Sequence, residues 1–486
     1  MLKKTFYIGV FVVAALAALL FGPVFTEDVP ETAAVIFTQV PARTDVASDF
    51  NSDGLPLFDG SRIVRFSYKE NGQEPVPLTT DFHSAGSPSL SFDNEQIVFS
   101  GKKSGQDPWQ IWLMDLDGSH KRKVYDSAGN AVTPAFLPDG RIVFSRELND
   151  PELGRRYVLF TCRPDGSGLT QITYHPHRDL HASALHDGRV AMISSQLYPE
   201  KKSADLMVLR PDGTKAQSFY RDQSGFRIKS AVRETPGPEP KLVYVRSDKA
   251  TDQLVAISYA NPVNAPKVIA EGPAGDIHSA DILEDSRLVV SIRSAESGVF
   301  GLAAISYRDN SKPVTIFHDP DYHSLGPVAA RTRAVPKRLP SSLNPESGFG
   351  TLLSQNVNRS QIPVDGNTRT RYIRVQGLDG RLGEFEVAED GSFYLEVQAD
   401  MPIRFLSLDG NKQVLRGPSS WIWMRSGERR ACTGCHSDKA IAPENLVPEA
   451  IQGPPVRITD TTRVLDAQVQ AIRQEMIKQG VPGNEH

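Results

Sequence analysis

The stretch Thr133-Pro134-Ala135-Phe136-Leu137-Pro138-Asp139-Gly140-Arg141-Ile142-Val143-Phe144 decides the fold, because the chain repeats it. Asp139-Gly140 reads as a turn and Ile142-Val143-Phe144 as a short buried strand. Equivalent runs are Ile97-Val98-Phe99, Val190-Ala191-Met192, Leu242-Val243-Tyr244 and Leu288-Val289-Val290. They begin at 97, 142, 190, 242 and 288, at intervals of 45, 48, 52 and 46 residues. Asp93-Asn94 and Asp187-Gly188 precede two of them, as Asp139-Gly140 precedes the third. In three units a further strand follows and ends on Asp117-Gly118, Asp165-Gly166 or Asp212-Gly213. An earlier copy starts at Asp59-Gly60 with Ile63 and Val64. Short strands at this period are the pattern of propeller blades, which must stack radially because none can bury its own face. The expectation is a mainly β protein with a β-propeller over 58–325, of six blades, with seven as the alternative count.

Working outward, Ser87-Pro88-Ser89-Leu90-Ser91-Phe92-Asp93 and Thr133-Pro134 to Gly140 carry serine/threonine-proline and proline-aspartate-glycine features. On these residues the units resemble the TolB-type propeller repeat. Cys162 occupies the place of Met114 and Leu209 in their units and reads as a buried strand residue. His175, His177, His181 and His186 fall where one blade passes to the next. His175-Pro176-His177 is a candidate metal site, or a group reaching a cofactor docked on the propeller face; the alternative is an exposed polar loop. His181 aligns with Thr133 and His278, which marks a position in the fold.

Upstream, Lys3 and Lys4 precede an apolar run from Phe6 to Phe25. Residues 1–26 read as an N-terminal membrane anchor or a signal peptide, with the remainder outside the inner membrane. Residues 27–57 read as a linker. Formal net charge is −4, which gives no basic field for nucleic acid.

Downstream, 326–349 is a Pro/Arg-rich linker whose charges are expected to be solvated. Residues 350–430 read as a small antiparallel β-domain. Its alternating strands Arg371–Val375, Gly383–Val387 and Ser392–Val397 are separated by Asp379-Gly380 and Asp390-Gly391. Residues 431–486 hold a haem c segment and a final amphipathic helix from about Thr461 to Gln479, with Leu465, Val469, Ile472 and Met476 on one face.

The haem reading rests on Cys432-Thr433-Gly434-Cys435-His436. In a C-x-x-C-H the two thiols add across the vinyl groups of one haem, and the histidine becomes the proximal iron ligand. A thioredoxin-type pair lacks its βαβ setting here. A zinc site lacks two further nearby ligands, since the third cysteine is Cys162. Trp421 and Trp423 either wall the porphyrin or fill the β-core. Met424, Met401, Met476, Lys439, His175 and His177 are candidate distal ligands. Haem c is attached on the outer face of the inner membrane, which agrees with the N-terminal segment.

The stretch from Ser392 to Pro455 resembles the hydrazine synthase alpha subunit family, chiefly its middle domain. The matching features are Asp390-Gly391-Ser392-Phe393, Ala399-Asp400-Met401-Pro402, Leu408-Asp409-Gly410, Ser420-Trp421-Ile422-Trp423, Gly427-Glu428, Cys432 to His436 and Ala442-Pro443-Glu444-Asn445. The resemblance implies a six-bladed propeller before a β-rich domain with one covalent haem c on Cys432 and Cys435 and under His436. The family's synthase carries a second C-x-x-C-H and a tyrosine four residues past the first motif histidine; this chain has no second motif and has Ala440 there. The resemblance thus carries fold and haem, not hydrazine synthesis. The functional expectation is periplasmic electron transfer to a redox partner protein, with the propeller as docking surface. The alternative is a haem enzyme acting on small nitrogen or oxygen species, and a third is a binding or redox-sensing protein.

Overall fold

The computed structural model describes residues 34–46, 55–67, 74–434 and 445–458, apart from 152, 200–203, 223, 263, 274, 284–285, 310–311, 361–363 and 365–367. Six sheets form the propeller, and two more form a second domain. The repeated apolar runs are the second strands of their blades, as in Gln96–Lys102, Ile142–Asp150 and Val190–Gln196. Both faces of these strands are covered by neighbouring blades, so their leading three-residue runs are apolar rather than alternating. The turn aspartates accept the N–H two residues on: Asp139 from Arg141 at 3.1 Å, Asp165 from Ser167 at 2.9 Å.

The first blade closes the ring. Its inner strand is Tyr322–Ala330, and its outer three are Ala34–Pro41, Arg62–Ser67 and Val76–Pro77. This corrects the reading of 27–57 as a linker. Residues 34–41 pair with strands on both sides and are buried almost throughout. No Asp-Gly turn precedes them, so the repeat did not extend to them.

Each inner strand is interrupted at one place. Register shifts fall between Gly86 and Ser89, Val132 and Ala135, Leu180 and Ser183, and Ile277 and Ser279. Ser87, Thr133 and His181 have φ of 52°, 50° and 56°. In the fifth blade the inner strand splits into Arg227–Ile228 and Arg233–Glu234. A bulge leaves one N–H out of the ladder, which is why Pro88 and Pro134 are tolerated inside a sheet.

The linker after the propeller is largely exposed, but its arginines are tied to the propeller. Residues 326–330 complete the closing strand, and the chain then crosses the face where the inner strands end. Arg331 donates to the Ile282 carbonyl at 3.2 Å, the Arg333 N–H to Phe92 at 2.8 Å, and Arg338 to Pro138 at 2.9 Å. The guanidinium groups of Arg331, Arg333 and Arg338 are spent on carbonyls at the ends of blade strands rather than on water alone.

The second domain is a sandwich. One sheet runs Arg429–Cys432, Phe349–Ser354, Phe393–Gln398, Val456–Ile458; the other runs Gly380–Glu386, Tyr372–Gly377, Arg404–Leu408, Val414–Arg416. Strict alternation of buried and half-exposed residues in Tyr372–Gly377 and Phe393–Gln398 puts Ile373, Val375, Phe393, Leu395 and Val397 into one core. The domain is not purely antiparallel: both edge strands of the first sheet join it in parallel. Among the described residues the only helix is a single turn, Glu449–Gln452. The expected helix from 461 to 479 and the N-terminal segment 1–26 lie outside the described residues.

Candidate functional site: the seam beneath the C-x-x-C-H motif

The motif begins on an edge strand. Cys432 lies opposite Ser354 in parallel register, and its carbonyl accepts from the Gln355 N–H at 2.9 Å. Its side chain is exposed and not in a disulfide, whereas Cys162 is buried in the propeller core. Burial pushes the Cys162 thiol up to about 11, so it is an inert core residue. Gly434 packs against the 356–359 loop so closely that a Cβ would stand 2.5 Å from the Arg359 carbonyl oxygen. The chain resumes with the Glu449 N–H on Asp390 at 2.9 Å and the Ala450 N–H on Ser392 at 3.0 Å. The motif is therefore flanked by strands at opposite edges of one sheet. Cys435, His436, Lys439, Ala440 and Met476 lie outside the described residues.

The segment leading into the motif is wedged into the propeller. Trp423 is fully buried between the third and fourth blades, among Leu137, Leu159, Ile172, Met192 and Leu209. Its indole N–H donates to the Gly213 carbonyl at 3.2 Å. Trp421 donates to the Tyr198 carbonyl at 3.0 Å and lies under Arg404. The tryptophans thus neither fill the core of their own domain nor stand open to a porphyrin; they plug into the neighbouring one. Met424 and Met401 are buried in the sandwich core, which corrects their reading as distal ligands. A Cβ on Gly350 would come within 2.6 Å of the Met424 Cβ, so only glycine lets the strand pass Met424 this closely.

Charge completes the seam. Glu428 is buried and accepts from Arg430 at 2.8 Å, from the Lys215 N–H at 2.8 Å and from the Arg425 N–H at 2.9 Å. Arg425 pairs with Asp400 at 2.7 Å and donates to the carbonyls of Gln171 at 3.0 Å and Asp212 at 2.9 Å. Burial holds the Asp400 carboxyl above its ordinary range, with Arg425 opposing. Gly213, at φ 83°, is needed here: a Cβ would meet the Ile172 carbonyl oxygen at 2.5 Å and Arg425 at 2.6 Å. The Asp400 and Gly427-Glu428 positions singled out in the sequence are thus docking residues.

His175 and His177 are buried, not in an exposed loop. The His177 N–H donates to the His175 carbonyl at 2.8 Å, a three-residue turn centred on Pro176, whose fixed φ suits it. The turn stacks the two rings, with centroids 3.9 Å apart. His175 meets the edge of Trp423 at 4.7 Å. Its Nε2 lies 2.9 Å from Asp179, which also accepts from Ser194 at 2.6 Å; Ser194 Oγ is 2.9 Å from His177 Nδ1. Asp179, Ser194 and Trp423 complete a cluster that spacing alone did not show.

His181 and His278 stand elsewhere, in the central channel. A cavity of about 100 Å³ there is lined by the interrupted inner strands, including Thr133, His181, Lys229, Arg233 and His278. Lys229 pairs with Asp252 at 2.9 Å and Arg233 with Asp281 at 2.9 Å. Burial, with Lys229, His181 and His323 adding like charge, holds His278 well below the ordinary imidazole value.

Residues 354–437 match the model of the hydrazine synthase alpha subunit middle domain. The hydrazine synthase subunit alpha of Kuenenia stuttgartiensis is 23% identical over 536 aligned residues, covering 83% of this chain and 65% of that protein. The chain thus spans about two thirds of its relative's length. The solved Kuenenia stuttgartiensis hydrazine synthase superposes with a TM-score of 0.74 at 21% identity, over 87% of this chain and 71% of the other. TolB from Acinetobacter baumannii gives 0.46 at 15% identity, over 67% and 71%. The resemblance read from the sequence is borne out: the chain is a relative of the alpha subunit, with its propeller and middle domain in that arrangement. The expectation of an electron-transfer cytochrome is overturned, because the match in sequence and in fold is to a subunit of a synthase.

Proposed function

We propose that the chain is the haem-bearing subunit of an oxidoreductase acting on small nitrogen or oxygen species, working in a complex with other subunits outside the inner membrane. The observation that carries this is the middle-domain match over 354–437, which runs through Cys432 and ends just past His436. The described residues fit covalent haem c. Cys432 offers an exposed thiol at the end of a fixed strand, and Gly434 lets the motif lie tight against the 356–359 loop. Desolvation raises the Cys432 thiol above its ordinary pKa, and Arg430 and Lys215 pull it back toward the reactive thiolate. Cys432 and Cys435 would hold the group and His436 would be its protein ligand; bound there, haem would supply redox chemistry. The wedge of Trp423 and the Glu428 network fix this strand to the propeller, so the motif sits on a rigid base. Leu446, Val447 and Ile451 are large exposed apolar side chains close after the motif and offer contact area for another subunit. The hydrazine-forming reaction itself is not carried over, because Ala440 stands where the resemblance calls for tyrosine.

The test is the absorption spectrum of the reduced, full-length protein titrated with carbon monoxide and nitric oxide. The proposal expects a high-spin iron that binds both readily. A six-coordinate, low-spin iron that ignores both would overturn it.

A further inference from the structure

We propose that the central channel of the propeller binds a small oxyanion, a carboxylate or phosphate of a few non-hydrogen atoms, beside Arg233. The cavity of about 100 Å³ is walled by residues of all six blades. A cavity of roughly 150 Å³ takes up benzene, so this one admits a slightly smaller guest. Its wall is polar: Thr38, Ser87 and Ser89 line it. Thr38 Oγ1 accepts the Ser87 N–H at 3.3 Å, which leaves its own proton for another acceptor. Pro56 and Phe58 cover the end of the cavity before the bulges, where Leu55 and Leu57 pack on Val132 and Leu180.

Charge at the other end selects the sign of the guest. Arg233 lines the cavity there and pairs with Asp281 at 2.9 Å. The linker brings Arg331 and Arg333 to the same end. Arg331 donates to the Ile282 carbonyl at 3.2 Å and Arg333 to the Leu90 carbonyl, where inner strands of two blades finish. Among the described residues neither forms an ion pair, and the Arg333 Nε is buried with no hydrogen-bond partner. Three guanidinium groups thus share the Asp281 carboxylate. Burial, with Arg233 and Arg331 adding like charge and Asp281 opposing, pulls Arg333 down to about 10. An oxyanion would supply the missing negative charge, and its oxygens match the paired N–H groups of a guanidinium. The first end needs no anion: Lys229 holds Asp252, which also accepts the Gly275 N–H at 2.9 Å and the Ile277 N–H at 3.0 Å. The site is separate from Cys432 to His436 and stands whether or not the functional proposal does.

The purified full-length protein is titrated by calorimetry with inorganic phosphate and, separately, with acetate, at an ionic strength held constant with chloride. Acetamide is the uncharged control. Saturable binding of at least one of the two anions is expected, with a Kd of about 1 mM or tighter. Which of them binds tells an inorganic guest from a carboxylate, and acetamide should not bind. Arg233→Gln combined with Asp281→Asn keeps the net charge and should weaken binding about tenfold or more, the worth of a hydrogen bond to a charged group. Because that variant can misfold, Arg333→Gln, which strips no carboxylate of an ion-pair partner, is measured beside it and should weaken binding several-fold. A wild type that binds neither anion, acetamide binding as tightly as acetate, or folded variants that bind at the wild-type level overturns the proposal.

Discussion

The channel and the seam both grow from the inner strands of the propeller, yet they differ in what made them. In the channel, Ser87, Thr133 and His181 occupy one bulge position in successive blades, and the cations Lys229 and Arg233 are paired within the propeller. At the seam, Gly213 and Lys215 stand on the turn that Gly118 and Gly166 mark in the two blades before, but here the turn is met by Trp423, Arg425 and Glu428 from the second domain. The channel is what the repeat produces within itself; the seam is where a turn of the repeat is used to receive a second domain. A residue that breaks a repeat is better evidence for a specific role than one that recurs in it.

If that contrast is right, truncation at the seam is costly. Trp423→Ala removes a fully buried indole from between two blades and is expected to cost about 3–5 kcal/mol in denaturant unfolding. A loss under ~1 kcal/mol would mean that the wedge does not anchor the second domain.

The channel should respond more gently, and to pH. His278 is held neutral in the folded state, with its native pKa below the ordinary value of 6.5. The unfolded chain then binds a proton that the native chain does not, so this contribution is whole above about pH 6.5 and shrinks as pH falls toward the depressed native value. The loss is at most ~1.4 kcal/mol per pH unit. His278→Gln should flatten the acid limb of a stability–pH curve measured from pH 8 to 5; an unchanged limb would place the acid sensitivity elsewhere.

The contrast also explains what could be read from the chain. Blade strands such as Ile142-Val143-Phe144 are local signals, apolar on both faces and preceded by an aspartate turn. The sandwich strands are local too, since Phe393–Gln398 alternates with period two. Ala34–Pro41 was missed because a ring-closing strand needs a partner from the far end of the chain, and nothing nearby announces it. Arg331 and Arg333 were misread for a related reason: their carbonyl acceptors sit on other blades. At the seam, Trp423 and Gly213 are 210 residues apart, so no spacing rule joins them. His175 and His177 were legible as a pair, but Asp179 and Ser194 became partners only through the Pro176 turn and the pairing of neighbouring strands.

The intact mass under denaturing conditions tests the central claim most directly, for the full-length chain exported from a host with a haem-ligation system. The account predicts a mass increase of one haem, absent when Cys432 and Cys435 are both replaced by serine. A wild-type chain that carries no haem, or a double variant that keeps it, would contradict the account.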